Sequence, residues 1–192
     1  MSDASISPGQ LALPPWLPAD QGLLAANADP WLTQNSSTLT AGSVYLAKLP
    51  VRSPTQISNV WFGLAVTGAG ASSGSFAGLY SPAGLLIAAS ADIGAAITGP
   101  ISGLEFPLLG APFEVNGGPE SQWPWSAIVV NLATTQPAMI RGQGSSAYPN
   151  LNLTPANSRF AIAAAGQTSL PASFTPSALA TTGGANLWTG AS

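Results

Sequence analysis

The sequence contains no cysteine and no histidine. Disulfides are thereby excluded, and so are metal centres built on Cys or His, which removes nearly all zinc chemistry. Charge is scarce as well. Asp, Glu, Lys and Arg make up 6% of the 192 residues, against about 25% in an ordinary globular domain. Only four residues are basic, they are scattered, and the net charge is −3, so the chain has no basic run able to neutralise several phosphates. Nucleic acid is not expected as a partner. Long hydrophobic runs are missing too. The most membrane-like window, "GLLIAASADIGAAITGPISGL", is interrupted by Asp92, several glycines and Pro100, short of the ~20 apolar residues that a spanning helix needs. No membrane insertion is expected. The opening "MSDASISPGQ" lacks the basic region and apolar run of a signal peptide.

Apolar residues are plentiful, at 46%. Apolar-rich, charge-poor chains are the opposite of the disordered class. A chain of this size buries roughly 70% of its unfolded surface, enough for a core of its own. Its surface must then be neutral, made of Ser, Thr, Asn, Gln, Gly and small apolar side chains. A freely dispersed monomer normally carries more charge, whereas a surface covered by neighbours needs less. Composition therefore points to an oligomer or an assembly component, with a neutral secreted module as the alternative.

The chain divides near Leu39. Beyond it, short apolar runs are separated by turn signals at intervals suited to an all-β domain. "GSVYLAKLPV" (42–51) alternates, with Val44, Leu46 and Lys48 on one face and Tyr45, Ala47 and Leu49 on the other. "TQISNVWFGLAVTG" (55–68) puts Val60, Phe62, Leu64 and Val66 on one face, and Ile57, Asn59, Trp61 and Gly63 on the other. "FAGLYS" and "LLIAASAD" flank an "SPAG" turn, in which Pro82 presets φ and Gly84 tolerates positive φ. The stretch from Ile93 reads equally as a short helix at 92–97 or as irregular strands. Asn116-Gly117 is a hairpin signal, and "WPWSAIVVNLA" (123–133) is a buried strand. "PAMIRG", "SRFAIAAAG", "ASFTP" and "ANLWTG" complete the set. Alanine favours helix in "AIAAAG", but its short length and bracketing Gly and Pro favour strand. This count and spacing predict an antiparallel β-sandwich of jelly-roll type over residues 39–192.

Catalytic constellations are sparse. "GASSG" (70–74) has the G-x-S-x-G form of a nucleophile elbow, with Ser72 as the nucleophile. The hydroxyl needs a base, normally histidine, and there is none. Glycoside hydrolysis needs only paired carboxylates, for which Asp92, Glu105, Glu114 and Glu120 are the candidates, in turn-like or irregular segments. A secreted carbohydrate-active enzyme would require two of them across a cleft. No calcium loop and no nucleotide-binding glycine pattern is present. We therefore expect no enzyme, no metal and no cofactor. Trp61, Trp123, Trp125 and Trp188, with Tyr80 and Tyr148, are candidates either for sugar stacking or for the core. Trp123 and Trp125 in "QWPW" are the pair expected at the surface, because Pro124 disrupts regular pairing.

Residues 39 to 92, "LTAGSVYLAKLPVRSPTQISNVWFGLAVTGAG" through "SFAGLYSPAGLLIAASAD", resemble small virion-associated β-domains of tailed phages of actinobacteria. The pattern rests on Gly42, Tyr45, Leu49, Pro50, Gly78, Leu79, Tyr80 and Gly84, all turn or core positions by chemistry. The resemblance implies a non-enzymatic structural protein of the virion, assembled in the host cytoplasm, of the capsid-decoration or minor-tail and tail-fibre type. It implies partners among the major capsid or tail proteins, a homo-oligomer with a trimer favoured, and, for a tail protein, a cell-wall glycan. The absence of a long shaft favours decoration of the head.

Residues 1–38 then read as an extended, proline-rich N-terminal docking arm. Its segment "LALPPWLPADQGLLAANADPWL" (11–32) is too apolar for a solvated tail and too rich in proline for a regular element. Proline restricts the unfolded ensemble, so such an arm loses less entropy on docking. Pro14, Pro15, Trp16, Leu17, Leu23, Leu24, Trp31 and Leu32 are the expected docking residues, the large ones being able to contribute a few kcal/mol each when buried. "ADQGLLAANADP" is expected to hold one short helix capped by Asp20 and ended by Pro30. The alternative is that the arm folds back on its own sandwich.

Overall fold

The computed structural model describes residues 17–33, 35–142, 150, 153–179 and 185–192. Among them, two antiparallel sheets carry the fold. The first runs β1 (Ala25–Ala26), β13 (Thr189–Ala191), β5 (Asn59–Val66), β11 (Ala138–Ile140) and β2 (Ser36–Thr38), and β8 (Gly103–Pro107) also pairs with β5. The second runs β12 (Phe160–Ala164), β3 (Val44–Lys48), β10 (Trp125–Val129), β6 (Phe76–Tyr80) and β7 (Leu86–Ala89). A small ladder joins β4 (Thr55–Ile57) to β9 (Phe113–Val115), and α1 (Gly94–Ile97) is a single helical turn. The all-β expectation is met.

Alternation explains how the sheets face one another. Tyr45 lies on β3 with Leu49 just beyond its end, Leu79 on β6 and Ile128 on β10. These side chains of the second sheet share one core with Val60, Phe62 and Leu64 of β5, Met139 of β11 and Phe106 of β8. Each large side chain so enclosed contributes roughly 1.5–3 kcal/mol. The opposite parity of β3, Val44 and Leu46, is buried as well. It packs with Tyr80, Trp125 and Ala127 beneath Leu170, Phe174 and Leu179, which come from the irregular chain after β12. β3 and β10 are therefore buried on both faces. The outer face of the first sheet carries a smaller cluster of Leu23, Ala26 and Trp188, with Trp61 and Ile140 against it.

The run at 55–66 departs from simple alternation. Ile57 and Val60 are an odd number of residues apart, which would set them on opposite faces of one strand, yet both enter the same core. A break at Ser58 causes this: β4 pairs with β9, whereas β5 begins one residue later in the first sheet. At the other end Val66 is exposed. The "SPAG" turn forms as expected, with Gly84 at φ +83° and its N–H donating to the Ser81 carbonyl at 2.9 Å. A Cβ there would sit 2.2 Å from the Phe174 carbonyl oxygen, so glycine is required for space as well as for φ. Of the two readings around Ile93, the helix is found, and Asp92 Oδ1 accepts the Gly94 N–H at 2.7 Å.

Three expectations are corrected. Asn116-Gly117 makes no hairpin, because β9 pairs backwards with β4 and not forwards with β10. "ASFTP" forms no strand of either sheet. Ser173 forms only an isolated bridge to Leu85, and Pro176 opens a 3-10 turn. The helix expected around 19–30 is absent. A 3-10 turn at Pro18–Gln21, with the Leu17 N–H donating to Asp20 Oδ2 at 2.9 Å, ends at Gly22 with φ +72°. The chain then turns extended, the N–H groups of Leu24 and Asn27 donating to the Ala191 and Thr189 carbonyls. Pairing with β13 offers those donors partners across the sheet that an isolated helical turn does not.

Candidate binding cleft

The ends of both sheets meet at one end of the sandwich. There β3 finishes at Lys48, β10 and β12 begin at Trp125 and Phe160, β1 finishes at Ala26, and β13 begins at Thr189. The loops leaving these strands enclose a cleft of about 470 Å3, within the ~300–1,000 Å3 of small-ligand sites. Lys48, Arg52 and Arg159 line it together with Asp29, Trp123 and Asn186. A strand register brings two of the cations together: Phe160 stands opposite Ala47, so Arg159 and Lys48 are neighbours, and the Lys48 N–H donates to the Arg159 carbonyl at 2.7 Å.

The three cations are held differently. Arg159 grips Glu120 in a two-pronged pair, Nε to Oε1 at 2.9 Å and Nη2 to Oε2 at 3.2 Å, which raises the guanidinium above its ordinary value. Arg52 is exposed and lies over the Trp123 ring, 5.4 Å from its centroid. Trp123 is half-buried, and its Nε1 donates to the Gly118 carbonyl at 2.9 Å, which fixes the indole. Lys48 is buried, its Nζ 5.0 Å from the centre of the Trp125 ring and donating to the Glu120 backbone carbonyl at 3.4 Å. Burial holds Lys48 below its ordinary value of 10.5; the Glu120 charge works against that shift and Arg159 adds to it. Asn27 also lines the wall, but its carboxamide is used in the fold, donating to the Leu187 carbonyl and accepting the Thr189 N–H.

The candidate residues of the sequence are dispersed. Trp123 lines the cleft, but Trp125 does not reach the surface. It is fully buried and meets Phe174 edge-on at 5.8 Å, so the expectation of Trp125 as a sugar platform is corrected. Pro124 does not push it outward, because the Pro124 carbonyl accepts the Leu49 N–H at 2.9 Å and keeps the strands together. Tyr80 is buried, with its hydroxyl donating to the Pro171 carbonyl at 2.7 Å, and Trp188 is buried with Nε1 on the Ala28 carbonyl at 2.9 Å. Trp61 is half-buried and donates to Ser192 Oγ at 2.9 Å. Tyr148 lies outside the described residues.

Of the docking set, Leu23 is buried against Trp188 in the protein's own sheet and is not available to a neighbour. Leu17, Leu24 and Leu32 are 44%, 51% and 58% exposed. Pro14, Pro15, Trp16 and the side chain of Trp31 lie outside the described residues. Strands β1 and β2 both fall before Leu39 and both pair into the first sheet, so the described part of residues 1–38 is hydrogen-bonded to the sandwich.

Ser72 serves the fold. Its Oγ donates to Asp92 Oδ2 at 3.0 Å, and Asp92 also accepts the Ser75 and Gly94 N–H groups. Burial raises the Asp92 carboxyl, but these hydrogen bonds outweigh it and hold the group below its ordinary value. Asp92, Glu105, Glu114 and Glu120 stand on different elements. The cationic cleft and the cleft beside Pro82 and Gln122 hold at most one of the four each. The sequence does not mark the cations as a group, because Lys48 and Arg159 meet only through the pairing of β3 and β12, and Arg52 joins them from the loop after β3. One sign was legible: Lys48 shares the parity of Val44 and Leu46, where an apolar residue is the rule. Among known proteins, the chain matches no family model, no curated protein and no solved structure.

Proposed function

We propose that the protein is a non-catalytic structural component of a tailed-phage virion, which contacts a host-surface glycan through the cleft at Trp123. The observation that carries this reading is the cleft: a half-buried indole, the Asn186 carboxamide and three cations in one depression. An indole offers an apolar face to the C–H side of a sugar ring, and planar amide and guanidinium groups read hydroxyls at its rim. The virion part rests on the resemblance over residues 39–92, on the scarcity of charge and on a cysteine-free chain. The jelly-roll path belongs to the same proposal. Of the ten strand pairings among the described residues, only β6–β7 joins strands consecutive in sequence, which supports a chain that crosses repeatedly between sheets. A homotrimer is the assembly proposed.

The second reading is a capsid decoration protein anchored by the proline-rich N-terminal segment. Leu17, Leu24 and Leu32 favour it, three large apolar side chains exposed within sixteen residues. Immunogold electron microscopy of intact particles, with an antibody against the whole chain, separates the two. Label at the tail tip is the expected result. Label over the head would establish the decoration reading, and unlabelled particles whose other proteins are accessible would remove the virion from the proposal.

A further inference from the structure

We infer that the cleft takes an acidic saccharide, its anionic group held between Lys48 and Arg52. The inference rests on the glycan reading above and names the ligand's charge. Three of the four basic residues of a charge-poor chain line one cleft, and Gly142, also in its wall, is next in sequence to the fourth, Arg141. Charge placed so unevenly marks where an anion is to be met. Among the described residues the cleft is not internally neutralised. Lys48, Arg52 and Arg159 face Asp29 in the wall and Glu120 paired to Arg159, which leaves three positive charges against two negative.

The distribution of ion pairs separates the three cations. Arg159 has its carboxylate, but Lys48 and Arg52 form no ion pair among the described residues. An ammonium has three donors, and Lys48 has one long hydrogen bond, at 3.4 Å, to a backbone carbonyl. A buried cation so thinly served is unfavourable unless an anion completes its shell. Arg141 adds to the same imbalance, with Nε and Nη2 shielded from water and without a hydrogen-bond partner among the described residues. The Arg52 guanidinium lies over the Trp123 ring, which restricts its freedom before a ligand arrives. A carboxylate or a phosphate on a sugar meets these needs equally, and a neutral sugar meets neither.

The test is titration calorimetry of the full chain with paired ligands: trigalacturonate against its methyl ester, and a glycerol-phosphate-bearing oligosaccharide against its dephosphorylated parent. The acidic member of at least one pair is expected to bind ten-fold or more tightly, with affinity falling as salt rises. Which pair shows the difference tells carboxylate from phosphate. Arg52→Gln, at an exposed position, and Lys48→Met should each bring the acidic ligand down to the affinity of its neutral partner, while circular dichroism stays unchanged. Equal affinity for both members of each pair overturns the inference and leaves the glycan reading standing. Binding of none of the four ligands overturns both. A preference for the acid that survives Arg52→Gln overturns the assignment to these residues.

Discussion

Lys48 shows how one side chain ties the cleft to stability. Burial lowers its proton affinity in the folded protein, so between its folded value and 10.5 the unfolded chain holds the extra proton. Stability must therefore rise with pH across that window, since the cost of enclosing the charge disappears as the proton leaves. Urea midpoints of the wild type should climb relative to those of Lys48→Met as pH approaches 10.5; parallel curves would mean that Lys48 is solvated in the fold. Tyr80, held above its ordinary value by burial, is common to both proteins and drops out of the difference. At this scale the sequence is legible only in part. The parity of Lys48 could be counted, and so could the φ demanded of Gly84. The fate of Trp125 could not, because Phe174 covers it from a segment with no period of its own.

At the scale of elements, strand identity was far easier to read than strand partnership. "VYLAK", "FAGLY" and "WSAIV" announce themselves by β-branched and aromatic content. Nothing in a strand, however, says which other strand it meets. Asn116-Gly117 therefore signals a hairpin that β9 does not make, and the pairing that sets Arg159 beside Lys48 leaves no mark in either segment. The same gap hid the fate of "GLLAANA", whose pairing partner lies about 165 residues away at Thr189–Ala191. Trp188 secures that pairing, packing on Leu23 and Ala26 and bonding to the Ala28 carbonyl. Trp188→Ala should cost roughly 3–5 kcal/mol, as for other large core truncations. It should also expose residues 23–28 to limited proteolysis at protease levels that spare the wild type. Unchanged cleavage would show that β1 holds without its tryptophan.

For the whole molecule, the pairing pattern governs how the fold is reached. With a single pairing between consecutive strands among the described residues, loop-closure entropy must be met before most contacts form. Refolding from urea should accordingly run in milliseconds to seconds, and a microsecond phase carrying the full fluorescence change would contradict the topology. The position of β13 has a further consequence. It sits between β1 and β5, and the backbone carbonyl of Ser192 accepts the N–H groups of Ser58 and Asn59 at 2.7 and 2.8 Å. On the ribosome, residues 25 and 60 emerge long before residue 190. Until residues 189–191 emerge, β5 travels with part of its edge unpaired, open to the same edge on another nascent chain from the same message. The strand that closes that edge is made about 120 residues after β5, so the interval before it emerges is the one in which neighbouring nascent chains can pair with each other instead.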